Sequence, residues 1–385
     1  MVLLNQTDAL GTILWFVVFF IFMFLYPRLM LSQSIYRMEQ SAEKLEEMSR
    51  RANIIIMRKS KRGSEVKAKI DGFTEFFVIE PSNIDPYGLV RKIDQTIRGM
   101  EHRFTEFAEE LAPGLSREEK EQLNYGLRAA IGLRQIAKIV RHFVELTKKF
   151  KNWQMAMIIN MQLPIIEKIA ESEYRGTEAF VNGWPIGDSI GPAVAASFME
   201  NPKPAGEDIV YDAVDIEGRK CLVLKAHGPE PSLGRVDEAM NSLMKKNRIS
   251  RVVTIDAAQK LEGEKSGSVA EGVGFAMGGI GQRELIENVL LPKKIPVDSV
   301  VVKVGMTEAI LPMKKEIYNS LGNAREAVIR NVRRSKKGEK VLVIGVGNSC
   351  GVGDSKKSLD ETKKAVEELD RKFKEEQQKE KKGWI

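Results

Sequence analysis

Two cysteines, Cys221 and Cys350, are too few and too far apart for a disulfide framework, which fits a reducing compartment. Histidine is nearly as scarce, with three in 385 residues and none after His227. His102 and His142 lie in helical stretches beside arginines and read as surface or interhelical residues rather than metal ligands. No lysine or arginine precedes Arg28, and no charged residue falls between Ala9 and Tyr26. The missing basic leader, and the absence of a small-residue cleavage site after the apolar run, exclude a secretory signal peptide.

What remains is an uncleaved anchor. ALGTILWFVVFFIFMFLY, about 18 residues, is near the lower limit for a membrane-crossing helix, and Leu29, Met30 and Leu31 extend it past Pro27. Arg28, Arg37, Lys44, Arg50 and Arg51 flank its C-terminal side, so the positive-inside rule keeps the bulk of the chain cytoplasmic and the N-terminus outside. The bilayer is thus the first expected partner. A net charge of +7 is modest for this length, and clusters such as Arg333, Arg334, Lys336 and Lys337 read as a solvated face, so nucleic acid is not expected.

Composition divides the chain into an anchor (9–31), a stalk helix (32–62), a helical domain (63–175), an α/β domain (176–357) and a charged C-terminal helix and tail (358–385). Ile35, Met38, Ala42, Leu45, Ala52 and Ile56 form an apolar seam on the stalk. Self-association of two copies through that seam and packing on the chain's own helical domain are both open. Gly63 and Ser64 end the stalk, and Asp85 ahead of Pro86 has the form of a helix cap. Ser116 with Glu119 forms a capping box, and Trp153 to Ile169 reads as a helix interrupted by Pro164.

From Gly176 onward, short β-branched runs alternate with helical stretches. Lys220–Lys225, Arg251–Ile255, Ser299–Val304 and Lys340–Ile344 are apolar on both parities, the pattern of buried parallel strands. The fold class is therefore α/β: an N-terminal transmembrane helix, a helical domain, then a mostly parallel sheet flanked by helices.

In such sheets function collects beyond the carboxyl ends of the strands, where four loops here are rich in Gly and acids. Asp188 precedes the helical run GPAVAASFM and has the form of an N-cap, while Asp256 ends the strand RVVTI and could hydrogen-bond a neighbouring loop. Gly345, Gly347 and Gly351 surround Asn348 in a loop whose N–H groups could bind a phosphate, although the spacing is neither Rossmann nor P-loop. Cys350, in the same loop, reads as a small loop residue before a nucleophile.

The collinear set carries more than its members. GWPIGDSIGP from Gly183 resembles the first-strand loop of spore germination endopeptidases and hydrogenase maturation endopeptidases. KAHGPEPSLGRVDEAM, RVVTIDAAQKLE, GVGFAMGGIG and IPVDSVVVKVGMTEAI are similar to later segments of the spore family in the same order. This resemblance, from about Phe180 to Ile310, implies a maturation-endopeptidase-like fold with Asp188 and Asp256 as the two catalytic aspartates. His227, Glu262 and Glu271 are supporting candidates for orienting them.

Two departures accompany it. Asn182-Gly183-Trp184 replaces the expected Gly-Asn end of the first strand, and the His that the hydrogenase-type enzymes need after the second acid is missing. No cofactor is expected, and a divalent metal at the acidic loops is left open. As a whole, the chain is similar to an uncharacterised archaeal membrane-protein family, domain of unknown function 1512, which implies no activity. The expected function is that of a membrane-anchored, aspartate-dependent endopeptidase acting on protein or peptide substrates near the membrane. The alternative is a non-enzymatic scaffold or small-anion sensor on the same fold.

Overall fold

The computed structural model describes residues 6–79, 88–275, 286–287 and 289–382. Asp85 with Pro86, and the part of the Gly-rich stretch from 276 to 281, lie outside the described residues. Compact packing separates two units, 1–51 with 132–171, and 52–131 with 172–385.

The first unit is helical. Helix α1, Gln6–Lys59, runs through Pro27 and is long and apolar enough to cross a membrane, and its apolar side chains from Ile13 to Tyr26 are all exposed. Beyond them Met38, Ala42 and Leu45 are fully buried within the chain. The same stretch of α1 is tied to the C-terminal part of α4 (Arg117–Phe150) and the N-terminal part of α5 (Trp153–Asn182). Arg141 bonds Glu46 at 2.7 Å and also reaches Glu39; Lys148 reaches Glu39 at 2.5 Å; Ser41 and Lys44 bond Glu167 at 2.5 and 2.7 Å. At Met38, Ala42 and Leu45 the seam is thus buried in the chain's own packing.

In the second unit, Ala52 and Ile56 complete the seam, both fully buried. The α1 helix stops where the sequence breaks it, with Lys61 and Gly63 both at φ 59°. Helices α2 (Lys67–Phe73) and α3 (Leu89–Leu111) follow, and α4 begins on the expected capping box: Ser116 Oγ accepts from Glu119 N–H at 3.2 Å, and Glu119 accepts from Ser116 N–H at 3.0 Å.

Two expectations about α5 fail. It passes Pro164 without interruption, with the ring on an exposed side, and it continues to Asn182. A helix therefore precedes the Asp188 loop where the resemblance implies a strand. Ala179, Phe180 and Val181 are all buried from a helical backbone, a spacing a period-2 strand could not bury on one face.

The sheet is mixed rather than mostly parallel, and among the described residues it has seven strands in the order β1-β2-β3-β7-β4-β6-β5. Its centre, β3 (Arg219–Ala226), β7 (Lys340–Gly345), β4 (Ile249–Gln259) and β6 (Val297–Val304), is parallel and coincides with the four expected runs. The margins, β1 (Lys203–Gly206), β2 (Ile209–Ile216) and β5 (Val269–Val273), pair antiparallel. Glu217 and Gly218, at φ 52° and 80°, close the β2–β3 hairpin as a two-residue primed turn.

Helices cover both faces. α7 (Val236–Lys246) packs Met240 and Leu243 against Leu222, Val252 and Leu342. Opposite lie the wholly buried α6 (Ile190–Ala196) and α9 (Leu321–Val332), against Val223, Val253, Val300 and Val343. A short α8 (Lys315–Asn319) leads into α9, and α10 (Leu359–Lys382) closes the chain.

The tightest joint is between α6 and the sheet. A Cβ on Gly191 would stand 2.0 Å from Val346 O and 2.7 Å from Ile255 O, and one on Gly345 would stand 2.6 Å from Ala195 Cβ. Only bare backbone lets the helix start rest on the carboxyl ends of β4 and β7.

Gly191→Ala must lift α6 and should cost 2 kcal/mol or more, against about 1–3 kcal/mol for ordinary overpacking. Gly99→Ala, mid-helix in α3 with nothing within 4 Å of the new methyl, should instead stabilise by about 1 kcal/mol. Thermal unfolding of the two variants checks both signs.

Candidate functional site

The carboxyl edge of the parallel strands is where the chain brings its acids together. In register, Lys225 of β3, Gly345 of β7, Ile255 of β4 and Val300 of β6 stand level. β7 ends there while β4 runs on beside β6 to Gln259, so Asp256 is the first β4 residue past its β7 neighbour.

Asp188 arrives from the α5–α6 connection, in a 3-10 turn over Gly187–Ser189. Two loops hold its backbone. On one side Asp188 N–H donates to Ala309 O at 2.8 Å and Gly187 N–H to Leu311 O at 3.1 Å, and a Cβ on Gly187 would meet Glu308 O at 2.1 Å. On the other side Gly347, at φ 118°, passes close to Asp188 O, and Ser189 Oγ donates to Cys350 O at 2.9 Å. Asp188 is therefore not the N-cap of α6, because its Oδ2 accepts the N–H of Asn348, on another loop, at 2.6 Å.

Asp256 is 4% exposed, and among the described residues its one hydrogen bond is from the adjacent Ala257 N–H to Oδ1 at 2.7 Å. Among the described residues no neighbouring loop satisfies it. Burial raises both carboxyls above their usual range. Asp188 is pushed up to about 6, with the Asn348 N–H pulling the other way. Asp256 is held well above the ordinary value, first by burial and then by the negative charge of Asp188. Of the two, only Asp256 is also pushed up by its neighbour's charge.

Glu308 shows what a satisfied acid looks like at the same edge. Burial would raise it, but Lys314 (2.6 Å), Ser266 (2.6 Å) and Gly305 N–H (2.6 Å) together bring it down to about 2. It is a structural anion.

His227 reaches this edge but not the aspartate pair. Its Nδ1 lies 2.9 Å from Glu230 Oε1 and its Nε2 3.3 Å from Asp354 Oδ2. Asp354 also accepts from Lys225 Nζ at 2.6 Å and Gly228 N–H at 2.9 Å. Lys225 is fully buried, and burial lowers its pKa against the opposing pull of Asp354. Sequence reasoning passed over Lys225, Glu230 and Asp354. The available signal was a lysine inside the apolar strand CLVLKA, a charge that must find a partner when buried.

The remaining candidates stand apart. Glu271 lies on β5, two strands from Asp256, with its carboxylate held by Arg330 at 2.7 Å and Asn331 at 2.7 Å. Glu262 is exposed in the loop after β4. Neither is placed to orient the pair. Among the described residues no group of three or more His, Cys, Asp or Glu side chains is arranged to hold a metal ion.

The glycine loop is not a phosphate cradle. The N–H groups of Val346, Asn348, Ser349, Cys350, Gly351 and Val352 all donate to protein oxygens. Gly345, Gly347 and Gly351 spend their missing side chains on contacts with α6, Asp188 and Pro185. Cys350 is fully buried and burial pushes its thiol up, which suits a packing residue and not a nucleophile.

Comparison with curated proteins and with solved structures finds no match. Two family models do match: residues 12–183 fit a protein of unknown function (DUF1512) N-terminal domain, and residues 186–353 fit a domain of unknown function (DUF1512) C-terminal. Their junction falls between α5 and the Asp188 loop, and together they span the membrane-type helix and all seven strands, so the chain belongs to the DUF1512 family.

Proposed function

We propose that this protein is a membrane-anchored endopeptidase that faces the cytoplasm and uses Asp188 as base and Asp256 as acid. The observation that carries the reading is the pair of carboxyls at the sheet's carboxyl edge, poorly partnered and both raised, one by the charge of the other. Glu308, at the same edge, is by contrast a carboxylate with both oxygens engaged. Two coupled carboxyls that share one proton supply both halves of acid–base catalysis.

In this mechanism the Asp188 carboxylate takes a proton from water as the water oxygen attacks the peptide carbonyl carbon. Asp256 gives its proton to the carbonyl oxygen. As the tetrahedral intermediate collapses and the C–N bond breaks, the proton held by Asp188 passes to the leaving amine and Asp256 takes a proton back from a hydroxyl of the intermediate, which restores both groups. The order of segments shared with spore germination endopeptidases supports the reading, and the helix ahead of Asp188 is a departure from that family. Orientation rests on the basic flank Arg28 to Arg51, and tethering would confine the enzyme to substrates, its own chain included, near the bilayer.

Incubated with casein, the full chain in detergent should release peptides, and Asp188→Asn or Asp256→Asn should each lower the rate about 10²–10⁴-fold. The wild-type rate should climb through about pH 6 as Asp188 ionises. No cleavage by the folded wild type at any pH from 4 to 9 would sink the proposal.

Stability offers a check independent of substrate. The folded pKa of Asp188 lies above its unfolded value, so its contribution is intact below about pH 4 and lost as pH rises through about 6. Asp188→Asn should therefore stabilise the fold at pH 8 by roughly 1–3 kcal/mol, a gain that shrinks toward pH 4. Thermal melts at the two pH values read the difference.

A further inference from the structure

The turn between α4 and α5 carries an apolar surface that the chain leaves uncovered. Phe150 is 62% exposed, Trp153 45% and Ile158 58%, and Met157 is exposed beside them. On α5, Trp153, Met157, Met161 and Ile165 repeat at helical spacing along one exposed side, and beside it a groove of about 490 Å³ lies between Met155, Ile158 and Ile159 of α5 and Ile139 and Phe143 of α4. Lys148, Lys149 and Lys151 surround the turn, with the Lys149 ammonium 5.6 Å from the Phe150 ring centre.

The height of this turn along α1 can be read from side-chain contacts. Asn160 Nδ2 donates to Ser34 O at 3.3 Å and Glu167 accepts from Ser41 at 2.5 Å, both with the same offset of 126 residues. So α5 runs parallel to α1. Carried up the helix, this register brings Met157 to the height of Leu31 and Trp153 to that of Pro27, the cytoplasmic end of the apolar run. Helix α4 reaches the same end in the opposite direction, Arg141 on Glu46 and Lys148 on Glu39, and Lys151 at φ 48° turns the chain there.

We infer that this hairpin tip is a second membrane contact, with Phe150, Trp153, Met157 and Ile158 seated at the boundary of headgroups and acyl chains and Lys149 and Lys151 on anionic headgroups. The inference rests on α1 crossing the same bilayer. Aromatic rings rimmed by lysine at the end of a span are the composition that interface favours. An exposed apolar patch of this kind would otherwise be a liability for association. A second copy of the chain is the rival occupant, but it would explain neither the height of the tip nor its lysines.

The test uses full-length chain in vesicles of phosphatidylglycerol and phosphatidylcholine with brominated acyl chains, in two single-tryptophan variants. One keeps Trp153, with Trp15→Phe, Trp184→Phe and Trp384→Phe; the other keeps Trp15. Seating of the tip predicts roughly a twofold loss of Trp153 emission relative to unbrominated lipid, as expected for a ring at the acyl boundary. Quenched Trp15 with unquenched Trp153 overturns the inference and leaves the anchor standing. Unquenched Trp15 overturns both. Trp153 that is blue-shifted, unquenched and dependent on protein-to-lipid ratio assigns the surface to a second copy and overturns the inference too.

Discussion

The contact of Gly191 with the carbonyl oxygens of Ile255 and Val346 fixes the rest of the site. A helix start can approach two strand ends this closely only without a side chain, and the approach draws the whole 185–189 segment onto the edge of the sheet. Once there, that segment is gripped by the loop after β6 through Ala309 and Leu311 and by the loop after β7 through Asn348 and Cys350. Asp188 is therefore placed mainly by backbone packing, to which its own carboxylate adds the bond from Asn348 N–H, while the Asp256 carboxyl takes no part in holding the segment. Asp256 is thus left poorly partnered.

Much of the central architecture was legible. Four β-branched runs became the four parallel strands because burial on both faces demands apolar residues at both parities, a constraint visible residue by residue in Arg251–Ile255 and Lys340–Ile344. The marginal strands escaped notice for the converse reason. IVYDAVDI in β2 carries Asp212 and Asp215 and is at least partly exposed from Tyr211 to Asp215, and VAEGV in β5 is largely exposed, so neither has the composition of a buried run. Pro164 misled because a proline breaks a helix only where its ring has nowhere to go, and here it lies on an exposed side of α5.

At the site, the two aspartates were legible and their surroundings were not. The roles of Lys225, Glu230, Asp354 and Glu308 depend on which loops meet, a property of tertiary contact that spacing along the chain does not carry. The glycines of 345–353 illustrate the same limit. Their density resembles a ligand loop, yet the amides turn inward to the protein, and the freedom of glycine is used for close approach to α6, Asp188 and Pro185.

The position of β7 has a consequence for synthesis. It is the last strand made, yet it stands between β3 and β4 in the middle of the sheet. Until residues 340–354 have left the ribosome, the earlier strands lack the neighbour that joins them, α6 lacks half of its seat, and Asn348 is not there to hold Asp188. A nascent chain whose α1 is already made therefore carries no assembled carboxyl pair, and whatever that pair does is withheld until residues 340–354 have joined the sheet.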